Sequence, residues 1–183
     1  MTMIKRIIAA ATLSLAAAGY TVNETGLPAP VERAAITAAL MVMTPEQEGT
    51  KFKAYPDTGG VWTICTGHTG GVQRGDVATP EMCAAYLQDD LAFAVDFVMK
   101  TVPQAPLLCK ISLADMVYNV GRAAVAKSTM VRLFQAGDPV GAANAFMKWV
   151  YVAGQNCLVK ASNCYGIVLR RMLQRDLCLE GTT

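Results

Sequence analysis

Glu48-Gly49-Thr50-Lys51-Phe52-Lys53-Ala54-Tyr55-Pro56-Asp57-Thr58-Gly59-Gly60-Val61-Trp62-Thr63-Ile64-Cys65-Thr66-Gly67-His68-Thr69 is the stretch that decides the fold. Phe52, Tyr55, Val61, Trp62, Thr63, Ile64 and Thr66 are strand formers, and Pro56-Asp57-Thr58-Gly59-Gly60 breaks them with turn residues. The pattern predicts two short strands around a turn, with Asp57 in the turn and Thr63 on the second strand. Residues 67–75 form a second glycine-rich connection.

The texture on either side is helical. Upstream, residues 31–43 suit a helix. Thr44-Pro45-Glu46 then has the cap, first-position proline and early acid of a new helical start, which puts Glu48 at the end of a short turn. Downstream, Thr79-Pro80-Glu81 opens a helix over residues 82–100, and residues 105–120 are an apolar segment ending at Asn119-Val120-Gly121. Ser128 caps a short helix that stops at Ala136-Gly137, Asp138-Pro139 opens another to about Val152, and residues 166–179 are a last amphipathic helix. A short sheet followed by helices predicts an α+β domain with segregated lobes and a cleft between them.

Composition narrows the function classes. The chain has 183 residues, enough for a domain with a real core, and is 53% hydrophobic and 16% charged, too apolar for disorder. A net charge of +2 and the lack of a Lys/Arg run leave a nucleic-acid partner unsupported. All six cysteines, Cys65, Cys83, Cys109, Cys157, Cys164 and Cys178, lie beyond residue 64. Without a Cys-x-x-Cys pair, and with one histidine, they do not suit a zinc site, and no metal or cofactor is expected. Three disulfides in an oxidising compartment are the better use. Six cysteines allow about 15 pairings, so connectivity stays open, although Cys157 and Cys164 bracket residues 158–163 and could close a local loop.

Lys5 and Arg6 precede an uncharged run over residues 7–23, with small residues at Ala16-Ala17-Ala18. This is the charged and apolar order of a secretory signal. The run is short and alanine-rich against the roughly 20 strongly apolar residues of a permanent span. A cleaved signal or a weakly held signal-anchor both fit, and the basic flank favours either over a core helix. Residues 20–30 read as a linker, since Pro28 and Pro30 disfavour helix. The expected organisation is residues 1–30 for export and linkage, and residues 31–183 as the functional domain.

Glu48 and Asp57 have the environments of an acid–base pair. Glu48 follows an apolar helix, where partial burial would favour its protonated form, while Asp57 lies in a polar turn that favours ionisation. Two such carboxyl groups at one cleft are the equipment for cutting a glycosidic bond, and a threonine hydroxyl holding a water against Asp57 would imply inversion. Taken singly, each residue also fits an ordinary solvated cap or strand position.

The segment Glu48-Gly49, Ala54-Tyr55-x-Asp57, Gly60-x-x-Thr63-Ile64-x-x-Gly67-His68-Thr69 resembles the active-site segment of phage-type lysozymes, the endolysins of tailed phages. Asn119-Val120-Gly121 with Ser128-Thr129-Met130, Trp149-Val150-Tyr151-x-Ala153-Gly154, Arg170-Arg171 and Leu177-Cys178-Leu179 extend the resemblance over roughly residues 40–180. It implies a lysozyme-like fold, with a small β-lobe joined to a mainly helical lobe. It also implies hydrolysis of the β-1,4 bond between N-acetylmuramic acid and N-acetylglucosamine in peptidoglycan strands. Glu48 would be the general acid, Asp57 the base or electrostatic partner, and Thr63 the water holder. Glu46 is set aside because only Glu48 keeps the Glu-Gly pair and the spacing to Asp57.

Cys65 stands where many members have glycine, and Thr66 where an aromatic is frequent, which suggests a disulfide from Cys65, with Cys83 as partner, bracing the loop that carries His68. His68 is expected to hydrogen-bond behind the site, and Arg170 to reach the cleft and pair with Glu48 unless it is a solvated helix charge. By the same resemblance the chain is a monomer exported to the periplasm, or held at the periplasmic face of the inner membrane by transient association of residues 7–22. That segment holds no cysteine, so release would act by refolding around residues 20–48 rather than by thiol exchange. Two alternatives remain: a lytic transglycosylase, which needs no second carboxylate, and a non-catalytic secreted wall-binding module.

Overall fold

Thr79-Pro80-Glu81 starts a helix as its residue types require. In the computed structural model, which describes residues 1–57, 59–159 and 163–182, the Thr79 hydroxyl accepts the N–H of Met82 at 3.2 Å and opens helix α3, Pro80–Thr101. Cys83, Leu87, Leu91, Ala94, Val95 and Val98 recur at helical spacing and are buried on one face. That face packs on α4, Leu107–Val120, whose residues 107–117 are all buried. A helix buried on all sides belongs at the centre, and α2, Ala29–Glu48, and α8, Tyr165–Glu180, pack on it as well. Helices α5, Arg122–Ala126, α6, Thr129–Gln135, and α7, Pro139–Ala145, complete this lobe.

The small lobe is the expected hairpin. Strand β1, Lys51–Pro56, pairs antiparallel with β2, Trp62–Cys65, with Tyr55 opposite Thr63 and Pro56 opposite Trp62. Asp57 sits in the connecting turn, of which Thr58 lies outside the described residues. The three disulfides form as Cys65–Cys83, Cys109–Cys178 and Cys157–Cys164. The first ties β2 to α3 and the third closes the local loop, of which residues 160–162 lie outside the described residues. The Cys109–Cys178 bridge joins α4 to α8.

Three sequence expectations are corrected or extended. Thr44-Pro45 does not start a new helix, because α2 runs unbroken to Glu48 with Pro45 in its last turn. Burial of Ala39, Leu40, Met43 and Thr44 holds this turn helical against the proline. Pro30 likewise falls inside the first turn of α2, where a missing N–H costs nothing. The helix opened by Asp138 ends at Ala145, not at Val152. A 3₁₀ turn, Phe146–Lys148, leads into a hairpin of β3, Tyr151–Val152, and β4, Gln155–Asn156. Ala153 and Gly154 have φ of 48° and 81°, the pair of positive values that a two-residue hairpin turn needs.

Residues 3–16 form helix α1, Met3–Ala16, and are not separate from the core. Ile7, Ala11 and Leu15 are fully buried in the same cluster as Ala35, Ile36, Ala39, Leu40 and Met43 of α2. Arg6 pairs with Glu46 in the last turn of α2. Among the described residues, no helix is long and apolar enough to cross a membrane.

Candidate active site

Glu48 is the last residue of α2, and Gly49 turns the chain away into β1 with φ 74° and ψ 172°. That backbone region is nearly closed to residues with a Cβ, so the glycine sets the direction in which the helix end opens. Glu48 faces a cavity of about 530 Å³ between the lobes, lined also by Thr66, Gly67 and Thr69 from the β-lobe and by Asp89, Asp90, Phe93, Tyr118 and Asn119 from α3 and α4. About a third of the Glu48 side chain, 34%, is exposed, so its burial is partial. Its carboxylate accepts a hydrogen bond from Arg170 Nη1, and the apolar surroundings expected for it are replaced on that side by a cation.

Arg170 is therefore not a solvated helix charge. It is 4% exposed and forks onto Asp115, with Nε to Oδ2 at 3.0 Å and Nη2 to Oδ1 at 2.7 Å. Burial alone would weaken its hold on the proton, but the charges and hydrogen bonds of Asp115 and Glu48 push its pKa above the usual arginine value. Arg171 beside it is 1% exposed and is lowered to about 10, first by burial and then by the charge of Arg170.

Asp57 and Thr63 are on the hairpin, and neither lines this cavity. Asp57 is exposed, and its Oδ1 accepts the backbone N–H groups of Gly59 and Val61, both at 2.8 Å. These bonds hold the carboxylate in one orientation in the turn. Thr63 is 4% exposed, and its hydroxyl donates to the Val61 carbonyl at 3.0 Å, so its oxygen lone pairs remain as acceptors.

His68 makes its contacts beside the cavity. Its Nδ1 meets both oxygens of Asp90 at 3.1 and 3.0 Å, its Nε2 meets the Gly70 carbonyl at 3.0 Å, and its ring stacks on Tyr86 with centroids 4.3 Å apart. His68 thus fixes Asp90 in the cavity wall. Tyr118 joins the two lobes by donating to the Thr66 carbonyl at 2.9 Å. Its phenol is pushed up to about 12 by burial and then by the carboxylates of Asp90 and Glu48, so it stays a donor through the physiological range. Among the described residues, no cluster of His, Cys, Asp or Glu could hold a metal ion.

Sequence reasoning missed Asp90, Tyr118 and Asp115. A usable signal existed for Asp115, a lone acid inside the apolar run Leu113-Ala114-Asp115-Met116-Val117, since a buried carboxylate needs a cationic partner. For Asp90 and Tyr118 the pattern is only that of a helix face.

Comparison with known proteins bears on the family and the fold. A model of the phage lysozyme family matches residues 45–173. The SAR-endolysin of Enterobacteria phage P21 is 32% identical over 136 residues, which cover 73% of this chain and 78% of that protein. The muramidase domain of SpmX from Asticaccaulis excentricus superposes with a TM-score of 0.67 at 26% identity, over 77% of this chain and 95% of that one. The active form of the P1 phage endolysin Lyz, at 20% identity, shares the fold with a TM-score of 0.65 over 97% of this chain and 95% of its own. With the Glu48 cleft, the β-lobe hairpin and the central α4 in place, the chain belongs to the phage lysozyme family and is a lysozyme-type glycoside hydrolase.

Proposed function

We propose that this enzyme is an endolysin that hydrolyses the β-1,4 bond between N-acetylmuramic acid and N-acetylglucosamine in bacterial peptidoglycan, with inversion at the anomeric carbon. The observation that carries the reading is the position of Glu48 at the end of α2, open to the interlobe cavity, with Asp57 and Thr63 following on the β1–β2 hairpin. Glu48 gives its proton to the leaving oxygen as the glycosidic C–O bond breaks. A water held by Thr63 attacks the anomeric carbon from the opposite face and passes a proton to Asp57. Asp57 Oδ1 is committed to two backbone N–H groups, so Oδ2 is the oxygen that takes that proton. Asp57 then releases that proton to solvent and Glu48 takes one up, which restores both groups. Digestion of purified peptidoglycan followed by proton NMR is expected to show a new reducing end in the α configuration. A 1,6-anhydro product would make the enzyme a lytic transglycosylase, and a β product would remove the inverting route.

The disulfides and the P21 relative support action outside the cytoplasm. In our reading, residues 7–22 first associate with the inner membrane and later dock as α1, where Ile7, Ala11 and Leu15 find their partners on α2. Mass spectrometry of the exported protein is then expected to find residues 1–18 still attached. A mature chain starting near Gly19 would leave a cleaved signal instead.

A further inference from the structure

Behind Glu48 lies a polar cluster for which the reaction as written has no use. Asp115 of α4 and Gln174 of α8 are fully buried, and they sit between the two buried arginines of α8. Asp115 takes both Nε and Nη2 of Arg170 and also the Gln174 amide at 2.6 Å. The Gln174 oxygen in turn takes Arg171 Nη1 at 2.8 Å. Arg171 spends its remaining donors on Asn119 Oδ1 at 2.6 Å, in the cavity wall, and on the Trp149 carbonyl at 3.1 Å.

The charges in this cluster do not balance without Glu48. Two guanidinium groups face one buried carboxylate, and Glu48 at the edge is the second. A general acid must hold a proton when substrate arrives, and an arginine bonded directly to it opposes that by favouring the carboxylate. Asp115 bears on the same guanidinium from the other side. It occupies two of the donors of Arg170, leaves Nη1 for Glu48, and offsets the positive charge that Glu48 meets.

We propose that Asp115 is a positioning residue that sets the proton affinity of Glu48 through Arg170, with Gln174 holding Asp115 in place. The proposal rests on the reading of Glu48 as the general acid. Other titratable groups lie around Glu48. Tyr118 on α4 and Asp89 and Asp90 on α3 line the same cavity, with Asp90 paired to His68, and Arg171 on α8 lies beside Arg170. Glu46 on its own helix is paired to Arg6 of α1. Of the carboxylates among them only Asp115 is fully buried, so its charge is screened least by solvent.

The test is the pH dependence of kcat/KM on peptidoglycan for the full chain, whose alkaline limb reports loss of the proton from the essential acid. Asp115→Asn keeps the shape and removes the charge, and is expected to move that limb down by about one pH unit, a tenfold loss of proton affinity. Arg171→Gln removes the second buried guanidinium and is expected to move the limb up. It leaves the Asp115–Arg170 fork and the Gln174–Asp115 bond in place, so it decides the matter if Asp115→Asn does not fold. A uniform fall in activity with an unmoved limb would mean that the cluster is structural and would overturn the proposal. Glu48→Gln, assayed alongside, separates the two readings. If it keeps turnover, the assignment of the acid is wrong. If it loses turnover while both limbs stay at the wild-type position, only the role of Asp115 is wrong.

Discussion

Glu48→Gln is expected to lower turnover on peptidoglycan by about 10²- to 10⁴-fold, the range that a positioned general acid contributes, while the protein melts close to the wild type. The amide has nearly the shape of the carboxylic acid but no proton to give. The side chain stands at a helix end with a third of its surface open, so no core contact depends on it. Its oxygen can still accept from Arg170 Nη1, and Arg170 keeps its fork on Asp115, so the guanidinium keeps its hydrogen bonds although the cluster loses one partly exposed negative charge. The effect should therefore fall on kcat with little change in KM. Activity within tenfold of wild type, measured as turbidity loss of permeabilised bacteria, would remove Glu48 from the reaction.

The largest effect on stability is expected from replacing Cys109 and Cys178 together by alanine. The bridge joins residues 69 apart, and a closed loop of that length restricts the unfolded chain by about 4 kcal/mol on the loop-entropy estimate. Against a typical net stability of roughly 5–15 kcal/mol this is a large share. Both cysteines are fully buried, so lost packing adds to the cost. The bridge also has company. Going along α4, Cys109, Asp115 and Asn119 meet Cys178, Gln174 with Arg170, and Arg171, which descend along α8. Disulfide and polar cluster thus fasten the same antiparallel pair of helices, and the double variant should also place Arg170 less firmly. Urea unfolding is expected to show a clearly lower midpoint than removal of the Cys157–Cys164 bridge, which spans only 7 residues. Equal midpoints for the two variants would contradict the loop-length argument.

Much of the fold was legible because its signals are local. Thr79, Ser128 and Asp138 each cap a helix, since a side-chain oxygen one residue before a helix satisfies its free N–H groups whatever the rest of the chain does. The β1–β2 hairpin followed from strand formers broken by turn residues. Local rules failed where packing outweighed them. Pro45 stays inside α2 because neighbouring side chains bury that turn, and the helix from Asp138 stops early because the chain bends into the β3–β4 hairpin. Residues 3–16 carry the pattern of an export segment and also the i, i+4, i+8 spacing of Ile7, Ala11 and Leu15, and only a partner face on α2 shows the second use.

By itself the sequence determined the order of the lobes, the number of cysteines available for bridges, and the placement of Glu48, Asp57 and Thr63 on a helix end, a turn and a strand. Those are properties of short stretches, in which the backbone preferences of a few residues suffice. Tertiary structure decided that Arg170, 122 residues away in the chain, meets Glu48, that Cys109 pairs with Cys178, and that Asp115 stands behind the arginine. It also left Asp57 and Thr63 out of the cavity wall that Glu48 faces. Such meetings depend on how α2, α4 and α8 pack. Packing is set by apolar area buried over the whole core, a sum over distant residues that no short segment contains.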